Sequence, residues 1–232
     1  ENLTKYYGKS RGIVDVNLQL REGEIFGFIG PNGAGKTTTI RLLLNFIFPT
    51  RGRARIFGMD CVEESREIKR QVGYLPGEAG YYGDMRVKDF LRYAESFYGR
   101  GCRQRTRDLV EALDLNPDAR IEDLSLGNKK KVGIVQALLH SPRLLILDEP
   151  EAGLDGCALE KFYELLGRLN REKGITAVVV SHDTGAVARW ATRVALLNQV
   201  LLYCGEPQGL FHPEGRAGSA ATCALRWPAD EL

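Results

Sequence analysis

The stretch EIFGFIGPNGAGKTTTIRLLLNFIF, Glu24 to Phe48, carries three local signals in a row. Ile25 to Ile29 is apolar apart from one glycine, as a strand buried on both faces requires. Gly30 to Thr37 reads GPNGAGKT, a loop of the form GxxxxGK[ST]. Ile40, Leu43, Leu44 and Ile47 then recur at helical spacing until Pro49 stops them. Strand, glycine loop and helix in that order make a phosphate cradle. After Gly30 and Pro31, the backbone N–H groups of Asn32, Gly33, Ala34, Gly35 and Lys36 curl around anionic oxygens. The helix start adds a partial positive charge there and Lys36 a full one. Thr37 offers its hydroxyl to Mg²⁺, and Thr38 follows it into the helix. The alternative is a glycine-rich turn with no ligand, and the flanking strand and helix speak against it.

Outward from this stretch the periodicity alternates. Val14, Val16, Leu18 and Leu20 show the two-residue period of a half-buried strand, and short strands are expected at Ala54 to Phe57 and Val72 to Leu75. Gly77, Gly80 and Gly83 then make a flexible stretch. Val87, Phe90, Leu91, Ala94, Phe97 and Tyr98 fall on one helical stripe, and Gln104 to Leu113 predicts a second helix. After Asp123 come a helix that begins SLGNKKK, the strand LLILDEP, a helix from Ala158 to Lys173 stopped by Gly174, and the strand ITAVVVS. Further strands are expected at Val194 to Leu197 and Val200 to Tyr203. The expected fold is α/β: a mainly parallel sheet flanked by helices, an N-terminal antiparallel β part, and a small helical insert over about residues 78–125. No stable fold is expected for the tail from Glu206.

Composition bounds the rest. The 232 residues are 44% hydrophobic, enough for a substantial core, and 32 basic against 30 acidic residues leave a net charge of +2. Such a balance does not describe a protein that coats nucleic acid, so any basic function must be local. The five cysteines, Cys61, Cys102, Cys157, Cys204 and Cys223, are widely spaced and contain no CxxC pair, which suggests neither a disulfide framework nor a zinc site and fits a reducing cytosol. No apolar run approaches the eighteen or so residues of a membrane span, so a soluble chain is expected. It begins at Glu1 without a methionine, as a fragment of a longer chain would.

LLILDEP places Asp148 and Glu149 at the carboxyl end of a buried strand, the edge where open α/β sheets bind ligands. Beside a phosphate loop, Asp148 reads as the residue that holds Mg²⁺ and Glu149 as the general base that polarises an attacking water. His182 follows AVVVS and lies at a carboxyl strand edge as well; taken alone, a histidine there is more often structural than catalytic.

At this point the chain resembles the ATP-binding subunit of an ABC transporter, over roughly Asn2 to Gly205. Gly30 to Thr37 match the family's Walker A motif, and Leu144 to Asp148 match Walker B, with Glu149 as the catalytic glutamate that follows. AGLD, ending at Asp155, matches the D-loop. His182 matches the switch histidine at the γ-phosphate, and Tyr7 sits where the family stacks an aromatic on adenine, with Tyr6 the less favoured alternative. LSLGN stands where the family carries LSGGQ. Ser125 and Gly127 match it and Leu126 and Asn128 depart from it, a variant that resembles a branch of exporter-type ATPases. In such proteins the signature closes over ATP bound to the opposite subunit. The resemblance implies ATP and Mg²⁺ as cofactors, an ABC ATPase domain over 1–205 with a poorly defined tail at 206–232, and hydrolysis catalysed by Glu149 and His182. It implies as partners a second copy of the subunit and an integral membrane permease, with a peripheral place on the inner face of the cell membrane, and no nucleic acid.

Two departures bear on mechanism. The glutamine usual after YLP is replaced by Gly77 and followed by Glu78, so Glu78 or a water takes over, or coupling runs differently. Glu151 and Gly156 replace the threonine and proline usual around the D-loop. Lys129, Lys130 and Lys131 point in successive directions around a helix start, so at most one faces phosphate; a solvated helix face is the favoured reading, ahead of an auxiliary phosphate contact and of nucleic-acid binding. Tyr81, Tyr82 and Met85 are expected to meet the membrane partner, whereas Phe90, Phe97 and Tyr98 are expected mostly in the core. The competing functions are a soluble ABC ATPase acting on nucleic acid or ribosomes, and a regulator that binds ATP without hydrolysing it.

Overall fold

A computed structural model describes residues 1–78, 80–99, 101–181 and 184–211. The chain opens with an antiparallel pair, β1 (Leu3–Tyr7) and β2 (Ser10–Val16), then enters β3 (Ile25–Ile29) and α1 (Lys36–Leu43). A two-residue hairpin, β4 (Arg55–Ile56) and β5 (Met59–Asp60), and α2 (Ser65–Gln71) lead to β6 (Val72–Leu75). The helical insert carries α3 (Val87–Glu95) and α4 (Arg103–Ala112). There follow α5 (Leu126–Leu138), β7 (Leu144–Asp148), α6 (Gly156–Lys173), β8 (Thr176–Val180), α7 (Thr184–Trp190), β9 (Arg193–Asn198), β10 (Val200–Gly205) and α8 (Pro207–Phe211).

The main sheet runs in the order β10-β9-β3-β8-β7-β6. Every pairing in it is parallel except β10 with β9 at the edge. The two-residue period of the strands sets the layers. Leu145 and Leu147 of β7 and Ala177 and Val179 of β8 join a core with Phe90, Leu91, Val132, Ile134 and Phe162. Their neighbours Leu144, Ile146, Val178 and Val180 join a second core on the opposite face with Ile13, Phe26, Ile40 and Ile68. Both faces of these strands are therefore apolar, which is why they read as continuous hydrophobic runs. α3 and α4 share the first core, so the insert packs on α5 and the sheet without separating from them.

Several boundaries differ from the sequence reading. The first alternating strand ends at Val16, with Leu18 and Leu20 packed against the core beyond it. The helix expected through Tyr98 stops at Glu95, and α6 begins two residues earlier than expected because Asp155 accepts a hydrogen bond from the Ala158 N–H, 2.8 Å, and caps it. α2 gave no signal, since Ile68 is its one buried residue and no stripe forms. The tail expected to be without structure begins with the short helix α8, opened by Pro207 at the first helical position, where its missing N–H costs nothing. Residues 212–232 and Cys223 lie outside the described residues.

Candidate active site

β3, β8 and β7 are neighbours and parallel, so their carboxyl ends bring the glycine loop, Ser181 and Asp148 to one edge of the sheet. Gly35 is the N-cap of α1, with a left-handed backbone at φ 98 and no side chain over the helix start. A Cβ there would collide with Ile13 and the Gly12 carbonyl, so the turn requires glycine. The first N–H groups of α1 are thus left for an anion.

Lys36 is 6% exposed, and its Nζ donates to the carbonyls of Gly30 (2.5 Å) and Pro31 (3.1 Å). Burial pulls its ammonium below the usual lysine range, against the opposing pull of Glu149 and Asp148. Asp148 is equally buried; desolvation, and then the Glu149 charge, push its carboxyl above the usual carboxylate range. Such a pair is poised for a ligand that brings negative charge to Lys36 and a cation to Asp148. The Thr37 hydroxyl stands 3.5 Å from Asp148 Oδ2, so the hydroxyl and carboxylate expected to hold Mg²⁺ converge. A hard cation prefers oxygen donors of this kind.

Glu149 follows with φ 49, a left-handed backbone that costs a non-glycine residue about 1–2 kcal/mol. Its N–H donates to the Val180 carbonyl at 2.8 Å, which holds the turn in place. Ser181 Oγ donates to Glu151 Oε1 at 2.5 Å, so the carboxylate that departs from the family pattern is half-buried and reaches this edge of the sheet. His182 lies outside the described residues. Tyr7 is 45% exposed on β1, its hydroxyl 3.5 Å from Thr38 Oγ1, which sets an aromatic ring beside the first turn of α1. Tyr6 is exposed as well, but its N–H goes to Thr50.

Ser125 and Gly127 stand apart from this edge. Ser125 is exposed and its Oγ accepts from the Asn128 N–H, 3.2 Å, capping α5. Leu126, in the place of the family's first glycine, is 68% exposed and leans on Gly153 of the D-loop. A Cβ on Gly127 would strike the Gly153 carbonyl, so the signature and the D-loop of one chain touch. Asp155 is exposed and caps α6.

The lysines depart from expectation. Lys129 and Lys131 are half-buried, and Lys130 is 6% exposed with Nζ donating to the Gly77 carbonyl at 2.9 Å and the Pro76 carbonyl at 3.4 Å. A long stem let it fold under the helix, which residue type alone does not reveal. Tyr81 and Met85 are half-buried. Both pack against the core, and the Tyr81 hydroxyl, pushed up to about 12 by burial, donates to the Lys129 carbonyl at 2.9 Å. In the insert Tyr82, Tyr93, Phe97 and Tyr98 are exposed, the first three stacked edge to face with centroids 6.1 and 5.1 Å apart. Phe97 and Tyr98 were expected in the core, and Tyr93 was missed. The signal available was that Tyr93 lies on α3 off the buried face of Phe90, Leu91 and Ala94, with Phe97 four residues on, past the helix end at Glu95.

A glycine loop on a helix start, with an acidic strand end beside it on a mainly parallel sheet, defines a P-loop nucleotide-binding protein. A family model described as ABC transporter matches residues 13–152, and the chain belongs to that family. It is 34% identical over 200 residues to the bacitracin transport ATP-binding protein BcrA of Bacillus licheniformis, covering 85% of this chain and 65% of that protein. It is 33% identical over 216 residues to the probable multidrug ABC transporter ATP-binding protein YbhF of Escherichia coli, covering 90% and 37%. The chain thus spans less than two thirds of either relative. Among solved structures, it superposes on an ATP-binding subunit of an ABC transporter with TM-score 0.86 at 28% identity, covering 94% of this chain and 93% of that one. It also matches a dimeric post-hydrolysis state of the cassette MJ0796 bound to ADP and Pi, with TM-score 0.82 at 27% identity over 90% and 98%. Among the described residues no helix is long and apolar enough to cross a membrane.

Proposed function

We propose that this chain is the ATP-binding and hydrolysing subunit of an ABC transporter, two copies of which close around two MgATP and drive a separate membrane permease in the export direction. The observation that carries this reading is the gathering of buried Lys36, the Thr37 hydroxyl and the buried Asp148 carboxylate at one sheet edge. The relatives named for bacitracin and multidrug transport support the transporter role, and the LSLGN variant of the signature supports the export direction.

In this reading residues 1–205 form the ATPase domain, with the insert over about 78–125 and the segment 206–232 following it. The loop from Gly30 to Thr38 wraps the phosphates, with Lys36 turning from its carbonyls to the incoming oxygens, and Tyr7 stacks on the adenine. Thr37 and Asp148 would hold Mg²⁺, which when bound neutralises charge on the phosphate oxygens. Glu149 takes the proton of the attacking water and His182 contacts the γ-phosphate. Ser125, Gly127 and Asp155 act on the nucleotide of the second copy. The exposed ridge Tyr82, Tyr93 and Phe97 meets the permease, which gives the chain its peripheral place on the inner membrane face. The burial of Lys130 weighs against the nucleic-acid alternative, because it removes the middle member of the basic triplet from the surface.

Glu149→Gln keeps shape and hydrogen bonding but removes the base. Turnover should fall roughly 10²–10⁴-fold while labelled ATP still binds, and an ATP-dependent dimer should accumulate on size-exclusion chromatography. Hydrolysis at the parental rate would remove Glu149 from the base role.

A further inference from the structure

The loop that carries Gly77 lies against the acidic edge of the site. A side-chain atom placed on Gly77 would stand 3.8 Å from Glu149 Oε2 and 3.9 Å from the Asp148 carboxyl carbon, and Gly77 supplies none. Glu78 next to it is exposed. The side chain that does reach this loop comes from 53 residues further along: Lys130, from the second turn of α5, with its ammonium on the Gly77 and Pro76 carbonyls.

Four residues beyond Gly77 the loop returns the contact, as the Tyr81 hydroxyl donates to the Lys129 carbonyl and lodges against Gly133. The loop is therefore strapped to α5 at two points, once from each side. A buried ammonium needs negative neighbours. Those of Lys130 are Glu151, Glu149 and Asp148, whose charges oppose the pull of burial on it. Glu151 is itself placed for this, with one carboxylate oxygen on Ser181 and the other, Oε2, buried with no hydrogen-bond partner among the described residues.

We propose that Lys130 is a positioning residue for hydrolysis: its ammonium holds the backbone of the Gly77 loop on α5, so that the loop beside Asp148 and Glu149 and the helix start at Ser125 move as one piece. α5 begins with the residues assigned above to the second copy's nucleotide. The lysine thus ties the acidic edge of one site to the surface that completes the other. This inference rests on the ATPase reading, and it replaces Glu78 as the residue that takes over at Gly77.

The test has two readouts. In nucleotide-free protein, Lys130→Met should speed hydrogen exchange of the backbone amides of Gly77 to Tyr82 about tenfold or more, while Lys129→Gln leaves it within about twofold. In steady state the same variant should lose kcat about tenfold or more with KM for MgATP within about twofold, and Lys130→Arg, which keeps the charge, should recover a large part of kcat. If Lys130→Met fails to fold, Lys130→Gln, which keeps a donor and loses the charge, is read in the same way. Parental exchange in the loop, or parental kcat in a folded variant, overturns the proposal. A parental protein that neither binds nor hydrolyses MgATP would overturn the ATPase reading instead, and the exchange measurement would still judge the strap.

Discussion

The helix starts at Gly35 and Ser125 are built from the same ingredients, small residues running into lysine, and they end in opposite situations. At α1 the cap position has no side chain, the lysine is buried on loop carbonyls, and the Asp148 carboxylate of the same chain stands alongside. At α5 the serine closes its own helix, Leu126 is largely exposed, and the buried lysine points away from the helix start toward another loop. One start has no side-chain cap and sets a buried lysine beside a carboxylate. The other presents a surface and keeps its charge for internal work. Of these two helix starts, the one at Gly35 keeps its orphan N–H groups free of a side-chain cap with a carboxylate nearby, the arrangement proposed above to take phosphate and Mg²⁺.

The comparison breaks most severely at Lys36. Lys36→Ala removes the cradle's full positive charge, and affinity for labelled MgATP should fall at least about a hundredfold by equilibrium titration. Undiminished binding would make the two helix starts equivalent. Ser125→Glu should do the reverse: MgATP binding to the isolated subunit within about twofold of the parent, and hydrolysis reduced about a hundredfold or more, because the added carboxylate meets only the second copy's nucleotide. Parental hydrolysis in that variant would show that the α5 start serves no site in trans.

The smallest effect is expected where α5 ends. His140 stacks on Tyr98 with centroids 4.1 Å apart, its Nε2 lies 3.2 Å from the Val72 carbonyl, and its Nδ1 is buried without a partner among the described residues. Burial lowers its pKa from the ordinary histidine value, outweighing the hydrogen bond to Val72. The folded state therefore holds the neutral ring. The unfolded chain binds the extra proton first, so this contribution to stability is complete above about pH 6.5 and is lost as pH falls below it. His140→Phe keeps the ring stack and removes the titration, so the drop in Tm between pH 7.5 and 5.5, read by calorimetry, should shrink by about a degree or two. An equal drop in both proteins would detach His140 from acid sensitivity.

The differences between expectation and structure follow one pattern. The loop from Gly30 to Thr37, the strand ending at Asp148 and the stop at Gly174 were legible because each depends on neighbours in the chain: a run of apolar residues, a glycine where φ must be positive, a cap. Helix α2 was not legible, having one buried residue, nor was the packing of Tyr81 and Met85, whose glycine-rich surroundings resemble an exposed loop. Phe97 was placed in the core because it continues the stripe of Phe90 and Ala94, but α3 ends at Glu95 and leaves it outside.

By itself, then, the sequence determined the strand, loop and helix of the phosphate cradle, the acidic strand end and the alternation that builds a mainly parallel sheet, because these rest on backbone conformation and on periods of two and 3.6 residues. It also determined that Gly77 lacks a side chain, though not what stands in for one. Only the tertiary structure decided that Thr37 and Asp148 converge across 111 residues, that Leu126 leans on Gly153, and that Lys130 leaves a basic triplet to reach Gly77. The direction of a long side chain is set by which chain segment packs beneath it, and a lysine carries the same letter whether its ammonium meets water or a buried carbonyl.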